Sequence, residues 1–175
     1  PASPKELGKC IESAYKIKGP VYVRMGMSNE EEIYNDDFEF AIGKNNIISE
    51  GKNATIFVTG SIISEVIKAK ELLEKNDIHV KIINISTIKP FDNESIIKEA
   101  KNQKNLFSIE EHNIIGGIGS SIADVIAENN LNCKINKIGL NDCFAHGYGT
   151  YKELLKMNNL DSNSIYEKIK EFILL

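Results

Sequence analysis

The chain has no apolar run approaching the roughly 20 residues that a bilayer-crossing helix requires, so a membrane-spanning role is not expected. The N-terminus does not join a charged segment to an apolar one, so no secretion signal is read there and the chain is expected to be soluble and cytoplasmic. Without such a signal the Asn53-Ala54-Thr55 sequon is uninformative. Cysteine is scarce. Cys10, Cys133 and Cys143 are odd in number, far apart and outside any C-x-x-C spacing, which excludes a disulfide framework or a zinc site and leaves reduced packing thiols. Positive charge is not in excess: 21 lysines and arginines against 25 acidic residues leave a net −4. Nucleic-acid binders present a concentrated basic surface, so no such partner is expected. No serine stands in G-x-S-x-G, no cysteine has an activating context, and no metal-ligand spacing occurs, so no self-contained nucleophilic or metal centre is read.

What is present is 42% hydrophobic content in 175 residues, enough for one sizeable core, a domain being typically about 150 residues. Leu7, Ile11, Ala14 and Tyr15 recur at helical spacing, Gly19-Pro20 ends that helix, and Val21, Tyr22 and Val23 predict a short strand. The acidic 28–37 stretch reads as a solvated linker. Residues 38–48 predict a hairpin turning at 43–46. From Ala54 onward, strand and helix alternate. Thr55-Ile56-Phe57-Val58 precedes a helix with Ile62, Val66, Ala69 and Leu73 on one face. Val80 to Ile85 precedes a helix N-capped by Asp92 and carrying Ile96, Ile97 and Ala100. Leu106 to Ile109 precedes a helix over 120–128, and residues 135–138 form a further strand. Two C-terminal helices follow, one with a Thr150…Glu153 capping box and one with Ile165, Ile169 and Phe172, and both are expected at a sheet edge. The fold class expected is α/β, a three-layer α/β/α sandwich on a mainly parallel sheet.

Two motifs carry candidate chemistry. Gly116-Gly117-Ile118-Gly119-Ser120-Ser121 is a glycine-rich turn opening a helix, where amides and the helix dipole suit an anion. Ile122 replaces the third glycine of a dinucleotide fingerprint, so tight turning and close helix packing is the competing reading. Glu110-Glu111-His112 ends a strand and offers acid, base or metal-ligand chemistry, against ordinary loop capping. Polar side chains collect at the carboxyl ends of the strands, namely Thr59, Ser61, Ser86, Thr87, Glu111, His112, Asn141, Asp142 and His146. In open α/β sheets that rim is where crevices form.

Three segments, in order, resemble the C-terminal portion of the transketolase family. Gly19-Pro20-Val21-Tyr22-Val23-Arg24 resembles the last strand of the family's pyrimidine-binding domain. Residues 54–60 and 83–92 (INISTIKPFD) resemble the first two units of its C-terminal domain. Residues 108–121 (SIEEHNIIGGIGSS) and 138–148 (IGLNDCFAHGY) resemble that domain's later signatures. The resemblance implies a tail of the pyrimidine-binding domain at 1–28, a linker at 29–37 and the transketolase C-terminal domain at 38–175. It is nearest to transketolases whose halves are separate chains. Deoxyxylulose-phosphate synthase and 2-oxo-acid dehydrogenase β subunits share the domain, and a non-catalytic dimerisation or regulatory binding module is the reading from another class.

The family transfers a two-carbon ketol unit between sugar phosphates with thiamine diphosphate and a divalent metal such as Mg2+, the cofactor supplying the difficult chemistry. These groups bind upstream in the family, so this chain is expected to bind neither and no catalytic residue carries over. One functional residue does carry over: Arg24 matches an arginine that binds the sugar phosphate, a task suited to a planar bidentate guanidinium. Pairing with Glu30, Glu31 or Glu32 is the alternative for it. Glu111, His112, Gly117, Gly119, Ser120 and His146 remain as a rim ligand or interface site. An N-terminal transketolase half, a second copy of the chain in a homodimer, and sugar-phosphate substrates are the implied partners.

Overall fold

The computed structural model describes residues 1–26, 30–144 and 147–174. Its centre is a five-stranded sheet in the order β1-β3-β2-β4-β5, built from β1 (Asn46–Ser49), β2 (Ala54–Thr59), β3 (Val80–Asn84), β4 (Asn105–Asn113) and β5 (Lys134–Leu140). β2, β3, β4 and β5 run parallel, and β1 joins the β3 edge antiparallel. Residues 54–58 and all of β3 are buried, because helices cover both faces. Side chains alternate between those faces with the period of two that a strand imposes. Ile56, Val58, Val80, Ile82, Phe107 and Ile109 pack with α2 (Ile63–Glu74) and α6 (Ser162–Leu174). Phe57, Ile83 and Leu106 pack with α3 (Asn93–Asn102) and α4 (Ile118–Glu128). The expected three-layer α/β/α arrangement is therefore observed.

Local signals for these helices hold. Asp92 accepts from the Ser95 amide at 3.3 Å as N-cap of α3. Thr150 and Glu153 form the reciprocal capping box of α5 (Tyr151–Met157). Val66, Ala69 and Leu73 are buried on α2, with Ile62 at its cap. Among the described residues, no helix is long and apolar enough to cross a membrane.

Four expectations are corrected. Val21, Tyr22 and Val23 join no strand, since both edges of the sheet lie elsewhere and a strand needs a ladder partner. The 38–42 arm of the hairpin does not form; β1 takes its partner from β3, and Phe38 instead stacks on Tyr34 at 3.6 Å between ring centroids. On α1 (Pro4–Tyr15) the buried residues are Glu6 and Cys10, whereas Ile11 and Tyr15 stay exposed. The C-terminal helices cover a sheet face rather than an edge: Leu155, Ile165 and Ile169 join the α2 side of the core, and Phe172 meets Phe107 edge-on.

The acidic 30–38 stretch does not hang free. Glu32 accepts from Ser3 Oγ and from the Lys5 amide, both at 2.8 Å, so it closes the first turn of α1. Glu6 is fully buried and accepts from the Ala2 amide, the Ser86 hydroxyl, Asn84 Nδ2 and the Tyr34 hydroxyl, which ties α1 to the carboxyl end of β3. A buried carboxylate is tolerated there because several donors converge on it.

Candidate functional site

The site is built at the carboxyl end of β4. Strand alternation sends Glu110 toward α4 and Glu111 toward the start of α2. Glu110 is 2% exposed and accepts from the Ile118 amide at 2.9 Å and the Gly119 amide at 3.1 Å. Those amides head α4, where the helix dipole favours a negative charge. A Cβ on Gly117 would land on the Glu110 carboxylate, and one on Gly119 would meet Ser108 Oγ and the Lys137 stem. The glycines are thus required for close approach, and the anion at this turn is the chain's own. Ser120 Oγ accepts from the Gly116 amide and from Lys137 Nζ, each at 3.0 Å, closing the turn. Of the two readings of the glycine turn, close packing is the one these contacts support.

Glu111 stands in a different setting. Burial pushes its carboxyl above the usual carboxylate range, while hydrogen bonds from the Tyr151 hydroxyl and the Ile62 amide, together with the Arg24 charge, pull it part of the way back. The Tyr151 hydroxyl is pushed up in turn, by burial and then by the Glu111 charge. Arg24 is the only arginine in the chain and is exposed. Two residues on, Gly26 sits so close to Ser61 and Glu30 that a Cβ would meet both side chains. Ser61 Oγ donates to Glu30 Oε1 at 2.8 Å. Three segments thus meet beside Arg24: 24–26, Glu30 and Ser61 just ahead of α2.

Of the sequence candidates, Arg24 lies within electrostatic reach of Glu111. Gly117, Gly119 and Ser120 belong to the neighbouring turn held by Glu110. His112 is exposed at the strand end, and His146 lies outside the described residues. Tyr151 was missed: it is legible as the first residue of a capped helix, but its electrostatic effect on Glu111 depends on the fold, and Glu30, read only as an alternative partner of Arg24, accepts from Ser61. Among the described residues, no group of three or more His, Cys, Asp or Glu side chains is arranged to hold a metal.

The family model described as Transketolase, C-terminal domain, matches residues 43–165. The chain belongs to the transketolase C-terminal domain family. A Methanocaldococcus jannaschii protein described as a transketolase C-terminal section is 44% identical over 163 residues, covering 92% of this chain and 50% of the relative. A 1-deoxy-D-xylulose-5-phosphate synthase of Chlorobium luteolum is 33% identical over 175 residues, covering 98% of this chain and 28% of the synthase. A solved structure titled split gene transketolase, inactive beta4 tetramer, superposes with a TM-score of 0.91 at 30% identity, covering 100% of this chain and 57% of that one. The chain therefore spans about half the length of its archaeal relative. The glycine turn of this transketolase-family domain does not fit a cofactor diphosphate, because the Ile118 and Gly119 amides are already committed to the Glu110 carboxylate, which would repel a second anion.

Proposed function

We propose that the chain is the C-terminal part of a split, thiamine diphosphate-dependent transketolase that moves a two-carbon ketol unit between sugar phosphates. In this reading the cofactor and its Mg2+ bind to an N-terminal half supplied as a separate chain, and the complete enzyme acts in the cytoplasm as a dimer of such pairs. When bound, the cofactor supplies the carbanion chemistry that cleaves and forms the ketol bond. This chain contributes phosphate recognition and assembly. Residues 1–28 are read as the tail of the pyrimidine-binding domain, 29–37 as the connection, and 38–175 as the C-terminal domain.

The observation that carries the proposal is the chain's one arginine, exposed on a segment that the Gly26–Ser61–Glu30 contact places beside the start of α2. An exposed guanidinium can grip a phosphate with two parallel N–H donors. Its segment also leaves apolar surface uncovered, with Tyr15 92%, Tyr22 87% and Met25 57% exposed, as a contact face for another protein segment would.

In the reconstituted enzyme, Arg24→Ala is expected to raise KM for phosphorylated acceptors about ten- to a hundredfold, the equivalent of a charge-assisted contact of about 1.5–3 kcal/mol, with kcat little changed. An unphosphorylated acceptor should be nearly indifferent. Equal losses for both acceptors would contradict phosphate recognition by Arg24. A second reading, the C-terminal part of a deoxyxylulose-phosphate synthase, is favoured by the near-complete coverage of this chain in such a synthase. Pyruvate as donor distinguishes the two, since only the synthase would use it.

A further inference from the structure

We propose that Glu6 is the bolt of a latch, closed along α1 by the 32–38 segment, and that this latch opens as a unit while the sheet stays folded. The helix docks with a face that the hydrophobic effect alone would not choose. Glu6 is fully buried and Cys10, one turn on, is 9% exposed, whereas Ile11 is 49% and Tyr15 92% exposed. Of residues 1–26, Ala2 alone enters the apolar core. Apolar burial therefore contributes little to holding α1, and polar contacts supply the attachment.

The Glu6 carboxylate accepts from the Ala2 amide, the Ser86 hydroxyl, Asn84 Nδ2 at 2.9 Å and the Tyr34 hydroxyl at 3.3 Å. Asn84 Nδ2 also donates to the Tyr34 hydroxyl at 2.7 Å, while its own Oδ1 is buried and finds no donor among the described residues. An unmet buried acceptor is a cost, so the cluster is arranged around Glu6 rather than for greatest stability, as a device that fixes one docking of a helix would be. Residues 32–38 then follow the helix. Glu32 accepts from Ser3 Oγ and the Lys5 amide, Lys5 Nζ donates to the Tyr34 carbonyl at 2.8 Å and to Asp36 at 2.9 Å, and Lys9 Nζ donates to the Phe38 carbonyl. The Asp36 carboxylate is fully exposed, and an ion pair so placed contributes little. The closed Glu6 cluster is the member whose loss releases the helix. Residues 17–26 follow α1 and join no strand, so the latch, with the Gly26–Ser61–Glu30 contact, anchors the segment that carries Arg24.

Cys10 is a built-in reporter of the open state, because it lies on the docked face of α1, and exposed Cys143 is the internal reference. The test follows maleimide labelling of Cys10 by peptide mass, and amide exchange of β2 as the measure of global opening, in the purified chain. In the wild type, Cys10 should label far more slowly than Cys143 but through an opening nearly independent of urea below the unfolding transition, since little apolar surface is exposed. Protection of β2 should fall steeply with urea. Ile96→Val, in the core beneath α3, should speed β2 exchange about two- to tenfold and leave Cys10 labelling unchanged, because the sheet stays intact when the latch opens. Glu6→Gln keeps the volume but turns an NH2 group toward donors, and should speed Cys10 labelling about ten- to a hundredfold. Tyr34→Phe removes one donor and should speed it about two- to tenfold, and it carries the comparison if Glu6→Gln does not fold. Cys10 labelling that tracks β2 exchange, in urea and in Ile96→Val, would mean that α1 leaves only on global unfolding and would overturn the proposal. Labelling of wild-type Cys10 as fast as Cys143, or labelling unchanged in the folded Glu6 and Tyr34 variants, would overturn it as well.

Discussion

Glu110→Gln is the sharpest perturbation of the fold around the site. The native carboxylate is 2% exposed and accepts from two backbone amides at 2.9 and 3.1 Å. Hydrogen bonds to a charged group contribute about 1.5–3 kcal/mol each. Glutamine preserves the volume and one neutral acceptor, worth about 1 kcal/mol, but aims an NH2 donor at the other amide and leaves it unpaired. The net loss is about 2–5 kcal/mol, a large share of a stability of about 5–15 kcal/mol. For a domain of this size, each kcal/mol moves the melting point by about 2–4 °C, so a fall of about 4–20 °C is expected. Thermal unfolding followed by far-ultraviolet circular dichroism measures it, with His112→Ala as an exposed control one strand turn away. Gly117→Ala should produce a loss of similar kind, because its methyl group would displace the same carboxylate. A fall under about 2 °C in Glu110→Gln, or one no larger than in His112→Ala, would refute the assignment of Glu110 as the anion of the α4 N-terminus.

Two further outcomes concern the frame. The Glu32 carboxyl loses some ground to burial, but hydrogen bonds from the Tyr34, Lys5 and Ile33 amides and the Ser3 hydroxyl outweigh it and hold its pKa below the ordinary 4.5. Its folded pKa is depressed, so its stabilisation is present above about 4.5 and is lost as pH falls through the folded value. Amide exchange at the start of α1 should therefore accelerate below that pH in wild type and show no such pH step in Glu32→Gln; a step of the same size in both would exclude Glu32 as its source. Phe57 is fully buried between the sheet and α3–α4, and Phe57→Ala should cost about 3–5 kcal/mol by urea titration. A loss below about 1 kcal/mol would place Phe57 outside the core.

The α/β/α layering was legible because its signals are local and redundant. Apolar runs at 55–58 and 80–85, the Asp92 cap and the Thr150–Glu153 box each specify an element without reference to the rest. The failures share a cause, namely dependence on a partner that sequence does not display. Val21, Tyr22 and Val23 have strand propensity but no ladder neighbour, and β1 found its mate in β3 rather than in the adjacent 38–42 arm. On α1 the apolar spacing pointed to Ile11 and Tyr15, whereas the buried side is governed by Glu6, whose four donors come from residues 2, 34, 84 and 86. At the site, Arg24 and Glu111 were both legible as candidates, but the electrostatic effect of the arginine on the carboxyl was not, because it depends on the fold. The glycine turn was legible as an anion site, and its occupant, Glu110, stood one residue from the candidate acid.

The central claim, that this chain is one part of a two-part ketol-transferring enzyme, is tested by complementation. The chain and a diphosphate-binding N-terminal half are purified separately and assayed for two-carbon transfer from a ketose phosphate to an aldose phosphate, with thiamine diphosphate and Mg2+ present throughout. The account predicts no transfer by either component alone and saturable activity when this chain is titrated into the other. Full activity of this chain alone, or a stable complex of the two that transfers no ketol unit to any sugar phosphate, would contradict it.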